Sequence, residues 1–144
     1  MKKEIKTAII IEATPGRVWE VLTGFQQYPK WNPFIKSVQG TVKTGEKIVV
    51  RLEPPGAKGM TFKPKVLAFE TNREFRWIGS LIFPGLFDGE HRFELIDNGN
   101  GTTTFIQAEK FKGILVRMLS KMLDGSTLNG FRAMNEQLKI EAEK

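Results

Sequence analysis

Between Ile9 and Pro33 the sequence changes structural character three times, and each change carries a chemical marker. Residues 4–12 alternate, with Ile5, Thr7, Ile9 and Ile11 on one side and Glu4, Lys6 and Glu12 on the other. That is the two-residue period of a strand with one buried face. Thr14 follows, whose hydroxyl can cap a helix start, and Pro15 suits the first helical position, where its missing N–H costs nothing. Val18, Trp19 and Leu22 then share one helical face. Gly24 closes this helix, and 25–28 reads as a second short one before Pro29. A strand feeding two short helices and then the corner Tyr28-Pro29-Lys30-Trp31-Asn32-Pro33 suits a sheet wrapped around something.

From Phe34 the chain becomes rich in strands. The alternation predicts strands at 34–42, 47–53, 60–69, 74–80, 90–97 and 102–111, separated by turn chemistry such as Thr44-Gly45, Pro54-Pro55-Gly56 and Asp97-Asn98-Gly99-Asn100-Gly101. Short connections imply an antiparallel meander, seven strands with the first. Pro64 donates no ladder hydrogen bond, so irregularity is expected there. After residue 113 the period becomes helical. Leu115, Met118, Leu119, Met122 and Leu123 form one stripe, and Leu128, Phe131, Met134, Asn135 and Leu138 continue one past Asp124-Gly125-Ser126. A helix over 114–143, bent near Gly125, would span about 45 Å.

Composition narrows the function classes. The 144 residues suit a single domain, 1–144, with one core. No cysteine is present, which removes disulfides and thiolate metal sites and is compatible with a cytoplasmic location. The apolar run from Ala8 to Ile11 is too short for a signal-peptide core or a membrane span. A net charge of +6 raises the question of nucleic acid. The basic residues are scattered and no recognition motif accompanies them, so a solvated surface and no nucleic-acid partner are expected. Lys110, Lys112, Arg117 and Lys121 form the one denser group.

Four passages carry a family resemblance: Ala13-Thr14-Pro15 with Val18-Trp19 and Leu22; Tyr28 through Phe34; Phe75-Arg76-Trp77 leading to Gly89-Glu90-His91-Arg92-Phe93; and Gly130 through Lys139. In this order the chain resembles the START-like, or helix-grip, superfamily (SRPBCC), and its polyketide cyclase/dehydrase-like branch. The resemblance implies an α+β helix-grip fold. Its seven-stranded antiparallel sheet would be strongly curved around a long carboxy-terminal helix, with two short helices after the first strand and an apolar cavity between sheet and helix. Members bind lipids, sterols, polyketides, hormones or quinones, and a minority are enzymes, so the family narrows shape more than function.

Strand alternation supplies the inward groups. Met60, Phe62 and Val66 share a face, as do Phe75, Trp77 and Gly79; His91, Phe93 and Leu95; and Phe105, Gln107, Glu109 and Phe111. Met118, Met122, Phe131 and Met134 approach from the helix. The candidate ligand-binding set is Trp31, Phe62, Trp77, Phe87, His91, Phe93, Phe105, Gln107, Glu109, Met118, Met122 and Phe131. Rings and thioethers suit an adaptable apolar cavity, and the same residues equally suit a filled core. The polar members say more, because His91, Gln107 and Glu109 fall in register with apolar residues and buried polar groups need partners. Burial favours a neutral Glu109 carboxyl, whereas a nearby Arg76, Arg92 or protonated His91 favours the charged form. His91 is the only histidine, and no metal site or cofactor is expected.

Leu81-Ile82-Phe83-Pro84-Gly85-Leu86-Phe87 is an apolar segment with a Pro-Gly turn, readable as a flap over an entrance or as a hairpin tucked into the core. Beside the basic group it would favour transient docking to anionic lipid. Three functions fit these features: binding or transport of an apolar small molecule by a monomer or homodimer; a cyclase, dehydratase or hydrolase acting on an aromatic or polyketide-like substrate; and a protein-interaction scaffold of the stress-response co-chaperone type. The first is favoured, with no catalytic residue assigned.

Overall fold

The computed structural model describes residues 2–80 and 83–144. Strand β1 (Lys2–Ile11) buries Ile5, Thr7 and Ile11 on one face, as its alternation demands. Helix α1 (Pro15–Thr23) is capped by the Thr14 hydroxyl, which accepts from the Arg17 N–H, and it buries Val18, Trp19 and Leu22. A 3-10 turn (Phe25–Gln27) runs directly into α2 (Tyr28–Trp31). Asn32 then turns the chain into the next strand. Its Oδ1 accepts from the N–H groups of Phe34 and Ile35 at 2.9 and 2.8 Å.

Among the described residues seven further strands follow: β2 (Ile35–Gln39), β3 (Val49–Leu52), β4 (Met60–Phe62), β5 (Lys65–Glu70), β6 (Glu74–Ser80), β7 (Asp88–Asp97) and β8 (Thr103–Lys112). All pairings are antiparallel, in a five-stranded sheet ordered β1-β8-β7-β6-β5 and a three-stranded sheet ordered β2-β3-β4. This corrects the expected single seven-stranded sheet. The expected strand over 60–69 is divided at Lys63-Pro64, where the proline cannot continue a ladder. The sheets stay joined across the break. Ile48 N–H donates to the Pro64 carbonyl at 3.0 Å, Val66 N–H donates to Glu46 O at 2.9 Å, and Lys47 bridges Lys65. Register shifts at Ile35/Ser37 and Val66/Ala68 bend the strands, giving the curvature of a helix-grip fold.

The carboxy-terminal helix is shorter than expected. Helix α4 (Leu128–Ala142) is preceded by a π-helical turn (Leu123–Thr127) and by the one-turn α3 (Ser120–Met122), and 113–119 forms irregular turns. The kink expected at Gly125 is this π turn, whose wider winding offsets the faces on either side of it. Leu123 is buried, while Met118 and Met122 reach solvent. Segment 113–119 lies instead against the loop after β6, where Leu115 N–H donates to Leu86 O at 3.0 Å. Of the expected flap, Leu81 and Ile82 lie outside the described residues, and Phe83 is exposed.

Helix α4 is held from both sides. Phe131 packs on His91 from β7, ring centroids 4.9 Å apart, and on Phe34, at 5.6 Å. Gly130 permits the second contact, since a Cβ there would stand 2.5 Å from the Phe34 ring. Phe75, Trp77, Phe93, Phe105 and Phe131 are all fully buried and fill the middle of the fold.

Candidate functional site

The antiparallel register stacks the inward residues in rows across β6, β7, β8 and β1. One row reads Phe75–Phe93–Gln107–Thr7 and the next Trp77–His91–Glu109–Ile5. These rows pack rings against rings: Trp77 lies 5.0 Å and Phe93 4.6 Å from His91, centroid to centroid. The row beyond reads Gly79–Gly89–Phe111. Two adjacent glycines contribute no side chains, so the interior opens at this level and not in the middle.

The opening is an apolar cavity of about 130 Å³. Its floor is Gly79, Gly89 and Glu109, and Phe62, Phe87 and Phe111 stand around it. Met122 at the end of α3 and Leu123, Ser126 and Thr127 of the π turn close it on one side, and Leu52 at the end of β3 with Pro54, Ala57 and Lys58 of the following connection on the other. The glycines are needed for it. A Cβ on Gly79 would meet the Phe62 ring at 3.0 Å, and one on Gly89 would collide with Glu109 Oε2.

Of the sequence candidates, Phe62, Phe87, Glu109 and Met122 reach this cavity. Trp77, His91, Phe93, Phe105, Gln107 and Phe131 lie behind its floor in the packed interior. Met118 is 70% exposed, and Trp31 packs edge-on against Tyr28 beside Arg17, Lys30 and Glu141, away from the cavity. The structure brings neither of these two to the site.

The polar candidates form one connected chain. His91 sits between Glu109, with Nδ1 3.1 Å from Oε1, and Gln107, with Nε2 3.0 Å from Oε1. Gln107 Nε2 donates to Asn135 Oδ1 at 2.8 Å and to the Phe131 carbonyl at 3.3 Å. Asn135 Nδ2 donates to Thr7 Oγ1, and the Thr7 hydroxyl donates to the Gln107 carbonyl, both at 2.8 Å. Burial without such partners would cost about 1–3 kcal/mol per group. The chain thus ties β1, β7, β8 and α4 together and ends at the cavity. There, among the described residues, Glu109 Oε2 makes no hydrogen bond.

Sequence reasoning missed the two members farthest from the cavity, Thr7 and Asn135, although both carried a signal. Thr7 alternates in phase with buried isoleucines, and Asn135 sits in the apolar stripe of α4. Gly89 and the loop 54–58 had no comparable periodic mark. No group of three or more His, Cys, Asp or Glu that could hold a metal occurs among the described residues. No helix among them is long and apolar enough to cross a membrane.

Comparison with known proteins follows the fold. The chain is similar to the ZhuI aromatase/cyclase from Streptomyces sp. R1128 (16% identity, 99% of this chain and 94% of that one, TM-score 0.78). It is also similar to norcoclaurine synthase from Thalictrum flavum (12% identity, 97% and 86% covered, TM-score 0.73) and to Ara h 8.0201 (15% identity, 96% and 98% covered, TM-score 0.65). At these identities the likeness concerns the fold alone. Among curated proteins no sequence match was found. The family model described as polyketide cyclase/dehydrase and lipid transport matches residues 2–143, and the chain belongs to that family.

Proposed function

We propose that the protein binds a small apolar molecule in the cavity above Gly79 and Gly89, with Glu109 Oε2 holding its polar end. The observation that carries this reading is the apolar cavity bordered by Gly79, Gly89 and Glu109, together with a Glu109 carboxylate oxygen that makes no hydrogen bond among the described residues. A core that served packing alone would fill such a gap, since a void forfeits contacts on every side. At about 130 Å³ the space is close to the roughly 150 Å³ in which an engineered apolar cavity holds benzene, so one ring or a short branched chain fits. Burying about 200 Å² of ligand at about 25 cal/mol per Å² gives about 5 kcal/mol before the costs of association, so the Kd of a single ring is expected to be weaker than about 0.2 mM, in the millimolar range.

The test is an amide chemical-shift titration with toluene. Saturable changes confined to Gly79, Gly89, Phe111, Leu123 and Thr127, abolished by Gly79→Val, support the reading. Absence of saturable change, or the same change in Gly79→Val, removes it.

A second reading rests on the His91–Glu109 contact at 3.1 Å beside an apolar space, the pairing that general acid–base chemistry requires. Two of the structural relatives are by name an aromatase/cyclase and a synthase. Turnover of an aromatic or polyketide-like substrate that disappears in Glu109→Gln and His91→Phe would favour this enzyme over a carrier.

A further inference from the structure

The hydrogen-bond chain behind the cavity determines what kind of polar end Glu109 can accept. A main-chain carbonyl only accepts, so the Gln107 group facing Phe131 O must be the amino group. The Thr7–Asn135 end agrees, because the Thr7 hydroxyl donates to Gln107 O and receives from Asn135 Nδ2, leaving Asn135 Oδ1 to accept from Gln107. Gln107 Oε1 therefore points at His91, and Nε2 of the imidazole carries a proton. Nδ1 then faces Glu109 Oε1 at 3.1 Å. Two bare lone pairs at that distance would repel each other behind a wall of rings, so one proton lies between them. It resides on the ring, giving imidazolium and carboxylate, or on Oε1, giving imidazole and carboxylic acid. The pair is net neutral in both arrangements. In both, Glu109 Oε2 is a hydrogen-bond acceptor and never a donor.

We infer that the cavity selects apolar molecules whose polar end donates a hydrogen bond, such as a ring hydroxyl or an N–H, and turns away carboxylates and phosphates. The inference rests on the binding reading above. A donor reaching Oε2 satisfies an oxygen that makes no hydrogen bond among the described residues, whereas an anion brings a second acceptor against it in an apolar space. Lys58 at the rim is the cation that lines the cavity, and it is exposed, so its attraction for an anion is screened by water and salt. The hydroxyls of Ser80, Ser126 and Thr127 both donate and accept and do not discriminate.

Three probes of one shape test this: toluene, p-cresol and p-toluate, titrated at constant salt. The expected order is p-cresol tighter than toluene by roughly three- to tenfold, the worth of one added hydrogen bond, with p-toluate weakest. A second measurement is independent of any ligand. Because His91 is the only histidine, selective 15N labelling gives one pair of ring signals, and Nε2 should read as protonated. Toluene binding as tightly as p-cresol, or p-toluate binding tightest, overturns the inference and leaves the apolar cavity standing. If none of the three binds, the binding reading falls. A ring protonated on Nδ1 with a bare Nε2 overturns the inference whatever binds.

Discussion

Glu109 occupies the space that Gly89 leaves free: the carboxylate from β8 leans over the glycine of β7, and a Cβ there would run into Oε2. The backbone at Gly89 does not lie in the left-handed region, so alanine is excluded by contact and not by conformation. Gly89→Ala is expected to push Glu109 off His91 and to cost about 1–3 kcal/mol of stability, as overpacking does. Urea unfolding measures the cost. The 15N signal of His91 Nδ1 should move in the variant, and a fixed Nδ1 signal would mean that Glu109 tolerates the methyl without leaving its partner.

Gln107→Leu keeps the volume and removes the hub of the polar chain. His91 Nε2 and Asn135 Oδ1 both lose their partner inside the core. A destabilisation of about 2–4 kcal/mol is expected, read from the urea midpoint. Asn135→Leu breaks the same chain from the helix side. The double variant should cost less than the sum of the two single changes, because residues in one network do not act independently.

Gly130→Ala tests how closely α4 is gripped. In an exposed helix interior alanine would be favoured over glycine by about 1 kcal/mol. Here the added methyl would stand 2.5 Å from the Phe34 ring, which is itself fully buried between helix and sheet. The sign should therefore reverse, to a loss of about 1–3 kcal/mol. Adding Phe34→Leu should recover part of the loss if the clash is its cause, and the thermal midpoints of the four proteins decide it.

Where one rule governed a segment, the sequence predicted it well. Alternation in β1, the Thr14 cap with Pro15, and the interruption at Pro64 each depend on neighbours within a few residues, and each stands in the structure. The stripe Leu115, Met118, Leu119, Met122, Leu123 followed helical spacing as well, yet Gly113 adopts φ 133° and the chain beyond it binds the 83–87 loop. Regular helix then begins only at Ser120 and is interrupted by the π turn, and Met118 and Met122 face outward. Periodicity holds no record of either event, because both arise from contacts far away in the chain.

The site divides the same way. His91, Gln107 and Glu109 stood out as polar groups in apolar register, and they proved to be neighbours on facing strands. The cavity itself was not legible in the middle of the sheet, where rings from four strands meet, and it lies one row further along. Its position follows from Gly79 pairing with Gly89, a fact of register between two strands that neither strand shows alone.

The end of the chain carries a pH-dependent tie. Glu143 Oε2 accepts from the Glu12 N–H at 2.8 Å and from Lys139, which also donates to the Ile10 carbonyl. The hydrogen bond from Lys139, aided by that from Glu12, holds the Glu143 carboxyl below its ordinary range near about 4.3. A carboxyl lowered by folding binds its proton more weakly in the folded chain than in the unfolded one. Its contribution is complete above the unfolded value and fades as pH falls through the lower, folded value. Glu143→Gln should accordingly unfold earlier in urea near neutral pH, with the gap to the parent protein closing below about pH 4. High salt should narrow the gap as well, since the pair is near the surface. A gap of constant size from neutral to acid pH would place the effect in packing at the end of α4 and not in the charge of Glu143.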